Sequence, residues 1–146
     1  MDRIDPKFTA IATATGGRNG HTASDDGMVS VDLSVPKAMG GPGKPNTTTP
    51  EHLFAAGYAA CFGNAVIHAT RNKETKISDN DVEVTATVGI GPGATGGFGL
   101  TVTLDVTLAG VDQAKAEEIV AEAHKVCPYS NATRGNVDVT LSTHTR

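Results

Sequence analysis

The stretch from His52 to Thr70 contains no Asp, Glu, Lys or Arg. It follows Thr49, Pro50 and Glu51, which together make a helix start. Thr49 can cap, Pro50 suits the first helical position, and Glu51 complements the positive end of the helix dipole. The helix is predicted to run to about Arg71. A helix on the surface of a small domain normally carries a charged face, so one without charge must be covered nearly all round. A membrane span is the alternative, but Gly57, Gly63, Asn64, His68 and the many alanines make the stretch too weakly apolar for that. A chain of 146 residues has little material to bury a helix on every side. A homodimer that covers it from outside is the simpler expectation.

The rest of the composition is ordinary. An apolar fraction of 38% and a charged fraction of 19% read as one globular domain over residues 1–146. The net charge is −4 and no cluster of Lys and Arg stands out, which argues against nucleic acid and acidic lipid surfaces as partners. Met1 to Pro6 show no apolar stretch behind a basic start, so the expected compartment is the reducing cytosol. Two cysteines there are expected to serve transient chemistry rather than a permanent staple.

Around the central helix the pattern has period two. Residues 7–15, His21 to Ser24 and Met28 to Leu33 read as a three-strand meander, with turn chemistry at 16–20 and at Asp26-Gly27. Pro36 to Asn46 is a long loop of the kind that walls a site. Residues 81–91 and 97–109 alternate as two further strands. Asp112 caps a second helix with Ala116, Ile119, Val120 and Ala123 on one stripe, ending near Val126 because Pro128 follows. Val137 to Leu141 is a last strand. The order gives an α+β fold, with antiparallel sheets packed against helices.

Cys61 falls in the middle of the uncharged helix, with Gly57 and Ala65 four residues away on either side. Taken alone it fits an inert, packed cysteine better than a nucleophile. An apolar site raises a thiol pKa, so reactivity at Cys61 requires a nearby cation. Arg18, in the glycine-rich turn Gly16 to Gly20, is the best candidate, although exposure to solvent is the commoner fate of a turn arginine. Glu51 can orient the guanidinium by a two-point contact or simply serve the helix terminus. Glu51 and Cys61 are ten residues apart, ~15 Å along a continuous helix. One arginine touches both only if the helix breaks or if Glu51 comes from a second subunit. Cys127, just before Pro128, can sit at the N-terminus of a short helix or be a packing cysteine. The histidines show no paired metal-ligand spacing, so no metal site is expected. Gly91 to Gly96 has dinucleotide-fingerprint spacing but leads into a strand, not a helix. No Gly-x-Ser-x-Gly is present. His124, three residues before Cys127, is read as a solvent-facing helix residue rather than a base.

Two segments, Thr49 to Phe62 around Cys61 and Val126 to Val137 around Cys127, resemble the two cysteine motifs of the Ohr/OsmC family. The turn around Arg18 is similar to that family's early arginine motif. The place of the arginine and the run Cys127-Pro128-Tyr129-Ser130-Asn131-Ala132 resemble the organic hydroperoxide resistance (Ohr) branch more closely than the osmotically inducible one. The resemblance implies an intertwined homodimer with a thiol peroxidase site at the subunit interface. Cys61 would attack organic hydroperoxides and Cys127 would resolve the product to a disulfide. Arg18 would hold the thiolate and Glu51 would orient Arg18. It implies no bound cofactor, and re-reduction by an external dithiol such as a protein-bound lipoyl group. Phe98, Met39 and Tyr129 can line an apolar slot for the substrate or belong to the core; such a slot would make hydrogen peroxide a poor substrate. A non-catalytic peroxide sensor or ligand-binding dimer of the same fold is the alternative.

Overall fold

The computed structural model describes residues 2–146; Met1, which opens the N-terminal segment read above for a signal, lies outside them. The chain divides into two compact units, one ending at Pro50 and the other covering Glu51–Arg146.

The first unit carries an antiparallel meander of β1 (Ala12–Thr15), β2 (His21–Ser24) and β3 (Ser30–Asp32). β1 is shorter than the predicted 7–15. It pairs only with β2, whose four residues run from His21 opposite Thr15 to Ser24 opposite Ala12, and the ladder ends where that partner ends. The connection between them is a single 3-10 turn, Gly17–Asn19, which holds Arg18. Its closure depends on Gly20: a Cβ there would lie 1.7 Å from the Thr15 carbonyl oxygen, so no other residue fits this turn. The second hairpin turns at Gly27 (φ 74°), with the Asp26 carboxylate accepting from the Ser24 hydroxyl (2.6 Å) and the Met28 N–H (3.0 Å). Met28 and Val29 belong to that turn rather than to the strand. Leu33, which is buried, bridges to Thr48 and closes the predicted loop over 36–46.

In the second unit the sheet order is β4-β5-β6. β4 (Val82–Pro92) and β5 (Phe98–Leu108) form the predicted antiparallel hairpin, in register from Val82 opposite Leu108 to Pro92 opposite Phe98. The last strand differs from expectation. β6 is Val139–Thr145, not Val137 to Leu141, and it runs parallel to β5, so this sheet is mixed rather than antiparallel. The reason lies in the connection. After β5 the chain returns through α2 (Gln113–Val126) and α3 (Pro128–Thr133), and a helical crossover delivers the next strand in the same direction. The Val137 N–H is meanwhile taken by the Thr133 carbonyl (2.8 Å), which delays the start of the strand.

The central helix, α1, covers Pro50–Thr70 without interruption. Its buried stripe of Tyr58, Phe62, Val66 and Thr70 repeats every four residues, and the first three join one core with Val102, Leu104, Val106 and Leu108 of β5 and Ala116, Ile119, Val120 and Ala123 of α2. These are the strand faces and the helix stripe that alternation predicts. By length and mean hydropathy (1.2) α1 would pass for a membrane span, but this stripe ties it into the core. On its opposite side His52, Ala56, Ala60, Asn64 and His68 form a second four-residue repeat, exposed and without charge.

Candidate functional site

Two sulfurs from distant parts of the chain meet at the junction of α1 and the crossover helices. The Cys127 thiol points at Cys61 with 3.6 Å between the sulfurs, and both cysteines are free. A disulfide needs ~2.05 Å, so the sulfurs are in van der Waals contact and a shift of ~1.5 Å would join them. Cys127 is fully buried while Cys61 is partly open. Cys127 closes α2 and at the same residue opens α3, its N–H bonding the Ala123 carbonyl (2.9 Å) and its own carbonyl accepting from Asn131 N–H (2.9 Å). The predicted placement of Cys127 at a helix N-terminus is therefore the observed one. The helix start also leaves the Tyr129 backbone N–H free to favour the thiolate of the other cysteine, Cys61.

The electrostatic balance at Cys61 follows from these neighbours. Burial pushes its thiol above the ordinary value, the Tyr129 N–H pulls it back in part, and the adjacent Cys127 thiol raises it again. The thiol form is thus favoured by the groups around it in the second unit, and thiolate chemistry there requires a positive charge.

A cleft of about 240 Å³ opens on the exposed side of Cys61, lined by Asn64, Ala65, His68, Val126 and Pro128. Tyr129 is 40% exposed and packs on Phe54 (6.2 Å between ring centroids) and Tyr58 (5.8 Å). Its ring passes so close to α1 that a Cβ on Gly57 would lie 3.2 Å from two of its atoms. The small residue one turn before Cys61 therefore makes room for this ring. Phe98, 73% exposed, starts β5 at the tip of the β4–β5 hairpin, outside the cleft lining. Met39 and Arg18 belong to the first unit, in the 3-10 turns Lys37–Met39 and Gly17–Asn19. Glu51 stands in the first turn of α1 and lines a separate groove of about 240 Å³ with His52, Ala55, Ala86, Thr87 and Val88. With α1 unbroken, Glu51 stands ~15 Å from Cys61 along the helix axis.

His124 departs from its predicted solvent-facing place. It is half-buried, its Nδ1 lies 2.8 Å from the Ser130 hydroxyl, and its ring faces Phe62 at 6.3 Å. Burial, and then the Arg134 charge, hold its pKa below the ordinary value. Ser130 also bonds the buried Tyr58 hydroxyl (2.9 Å). This network escapes a motif reading, yet a tyrosine inside an uncharged helix was a signal, because a buried phenol needs a partner. A second unforeseen cluster aligns Asp32, His21 and Ser30 at 2.7 and 3.1 Å across β2 and β3. It has the order of a nucleophilic triad. The side chains of His21 and Asp32 are 48% and 70% exposed, however, and water competes for each of these bonds.

The fold and the apposed sulfurs define a paired-cysteine α+β protein whose two thiols are brought together by a central helix and a helical crossover. The family model for OsmC-like proteins matches residues 41–142, which span both cysteine motifs, and the chain belongs to that family. It is 48% identical over 135 residues to the organic hydroperoxide resistance protein of Xanthomonas axonopodis pv. citri, covering 92% of this chain and 93% of that protein. It is likewise 48% identical over 136 residues to the organic hydroperoxide resistance protein OhrB of Bacillus subtilis, covering 92% and 96%. The crystal structure of an organic hydroperoxide resistance protein OsmC from Legionella pneumophila superposes with a TM-score of 0.88 at 46% identity, covering 96% of this chain and 99% of that one.

Proposed function

We propose that this protein detoxifies organic hydroperoxides as a thiol peroxidase, with Cys61 as the attacking sulfur and Cys127 as its resolving partner. The observation that carries this reading is the 3.6 Å approach of a partly open sulfur to a fully buried one. The names of the relatives, organic hydroperoxide resistance proteins nearly half identical over most of the chain, support the same role.

In the proposed reaction the Cys61 thiolate attacks the distal oxygen of R–O–OH. The O–O bond breaks, the alkoxide takes a proton and leaves as R–OH, and Cys61 becomes a sulfenic acid. The Cys127 sulfur then attacks the Cys61 sulfur, an S–S bond forms and water departs. An external dithiol of the lipoyl type returns two electrons by exchange and restores both thiols, in a compartment where thiols stay reduced. The apolar walls of the cleft, Ala65, Val126 and Pro128, suit the carbon chain of R.

Burial raises the Cys61 thiol, so the mechanism assigns the compensating charge to Arg18, oriented by Glu51. The unbroken α1 favours two copies sharing each site, because one arginine cannot span ~15 Å between Glu51 and Cys61 of the same chain. The exposed, uncharged stripe of His52, Ala56, Ala60, Asn64 and His68 is the face proposed to meet the second copy, giving a homodimer.

The test is steady-state consumption of cumene hydroperoxide and hydrogen peroxide with dihydrolipoamide or monothiols as reductant. Sustained turnover with the dithiol and a preference for the organic peroxide are expected. One round of oxidation without turnover would sink the enzyme and leave a sensor.

A further inference from the structure

The hydroxyl cluster behind the cysteines carries an inference of its own. Tyr58 stands three residues before Cys61 on α1; Ser130 and Thr133 follow Cys127 on α3. Tyr58 and Ser130 are fully buried and Thr133 nearly so. Four contacts join them: His124 Nδ1 to Ser130 Oγ at 2.8 Å, Ser130 Oγ to Tyr58 OH at 2.9 Å, Tyr58 OH to Thr133 Oγ1 at 3.2 Å, and Thr133 Oγ1 to the Ser130 carbonyl at 3.1 Å.

Counting protons gives these bonds a direction. Thr133 spends its one proton on the Ser130 carbonyl, so its oxygen accepts from Tyr58. The Tyr58 oxygen then accepts from Ser130, and the Ser130 oxygen accepts from a proton on His124 Nδ1. Every contact carries a hydrogen in this arrangement, and His124 takes the Nδ1–H tautomer.

α3 has only six residues and cannot hold itself in place. Its seat depends on its neighbours. The Tyr58 hydroxyl ties it to α1 at two points, and His124 ties it to α2. The start of α3 in turn brings the Cys127 sulfur to 3.6 Å from the Cys61 sulfur, and the Tyr129 N–H of its first turn favours the Cys61 thiolate.

We propose that Tyr58 is a positioning residue for the thiol pair: through Ser130 and Thr133 its hydroxyl holds the first turn of α3 in register with Cys61, and so governs closure of the Cys61–Cys127 disulfide. This deepens the thiol peroxidase reading and rests on it. Tyr58 touches neither sulfur; it acts through the helix that carries one of them.

Tyr58→Phe removes the hydroxyl and keeps the ring, and Thr133→Val removes a hydroxyl at constant shape, so the test survives if either one fails to fold. Thr133→Ser keeps the hydroxyl. Two readouts apply to proteins shown to be folded by circular dichroism. The first is ultraviolet titration of the Cys61 thiolate in a Cys127→Ser background, which uses no peroxide. The second is the rate of disulfide closure after one equivalent of cumene hydroperoxide, followed by mass and thiol count. Tyr58→Phe and Thr133→Val are expected to move the titration to higher pH and to slow closure by roughly ten- to a hundredfold, with oxygen adducts accumulating on Cys61. Thr133→Ser should behave as wild type. Wild-type titration and closure in Tyr58→Phe or Thr133→Val would overturn the proposal, as would equal damage in Thr133→Ser and Thr133→Val. A wild-type protein that leaves cumene hydroperoxide untouched would sink the peroxidase reading instead, and the titration would still decide the role of Tyr58.

Discussion

At Cys61 the opposing influences can be ranked by cause. Burial acts most strongly and favours the thiol, the Tyr129 N–H opposes it, and Cys127 adds to the penalty. Because a thiol attacks only as thiolate, the rate with peroxide should rise with pH until Cys61 is ionised. If Arg18 supplies the missing charge, Arg18→Ala will shift that rise in kcat/KM to higher pH. Arg18→Lys will fall between, since an ammonium keeps the charge but loses the planar fork. An unchanged profile in Arg18→Ala would remove Arg18 from the site. The motif singles out Cys61 in the sequence, and its apolar setting shows that thiolate chemistry there needs a cation. The backbone N–H that favours its thiolate is not legible there, because nothing in a residue type reports which amide a neighbouring helix leaves free.

Element by element, local rules worked where the chain's own neighbours decide the outcome. Asp112 was legible as a cap, and its carboxylate accepts from the Lys115 N–H at 2.8 Å. The stripe from Ala116 to Ala123 was legible from its spacing and is buried throughout. Asp112→Ala should therefore lower unfolding free energy by about 0.5–2 kcal/mol while leaving peroxide kinetics alone, and Asp112→Asn should recover most of the loss. Urea titration beside an activity assay checks both halves. Local rules failed for β1 and β6. The extent of β1 is set by the length of β2, and the direction of β6 by the crossover, so both depend on partners far away in sequence. His124 was misplaced for a similar reason: its surroundings are Phe62 on α1 and Ser130 on α3.

For the molecule as a whole, the continuity of α1 from Pro50 to Thr70 is the feature with the widest reach. An unbroken helix of 21 residues carries both Glu51 and Cys61 and holds them apart by a fixed rise. If each site draws on two copies, Glu51→Gln and Cys61→Ser chains should complement when mixed and refolded together. Random pairing makes half the dimers mixed, each with one intact site, so about a quarter of wild-type activity should return. No recovery would mean that Glu51 serves its own chain. Recovery would make the helix a ruler that forbids self-sufficiency: each molecule would lend one end and borrow the other, and a cell that carries a faulty version of the chain alongside a sound one would see the fault spread into half-crippled pairs.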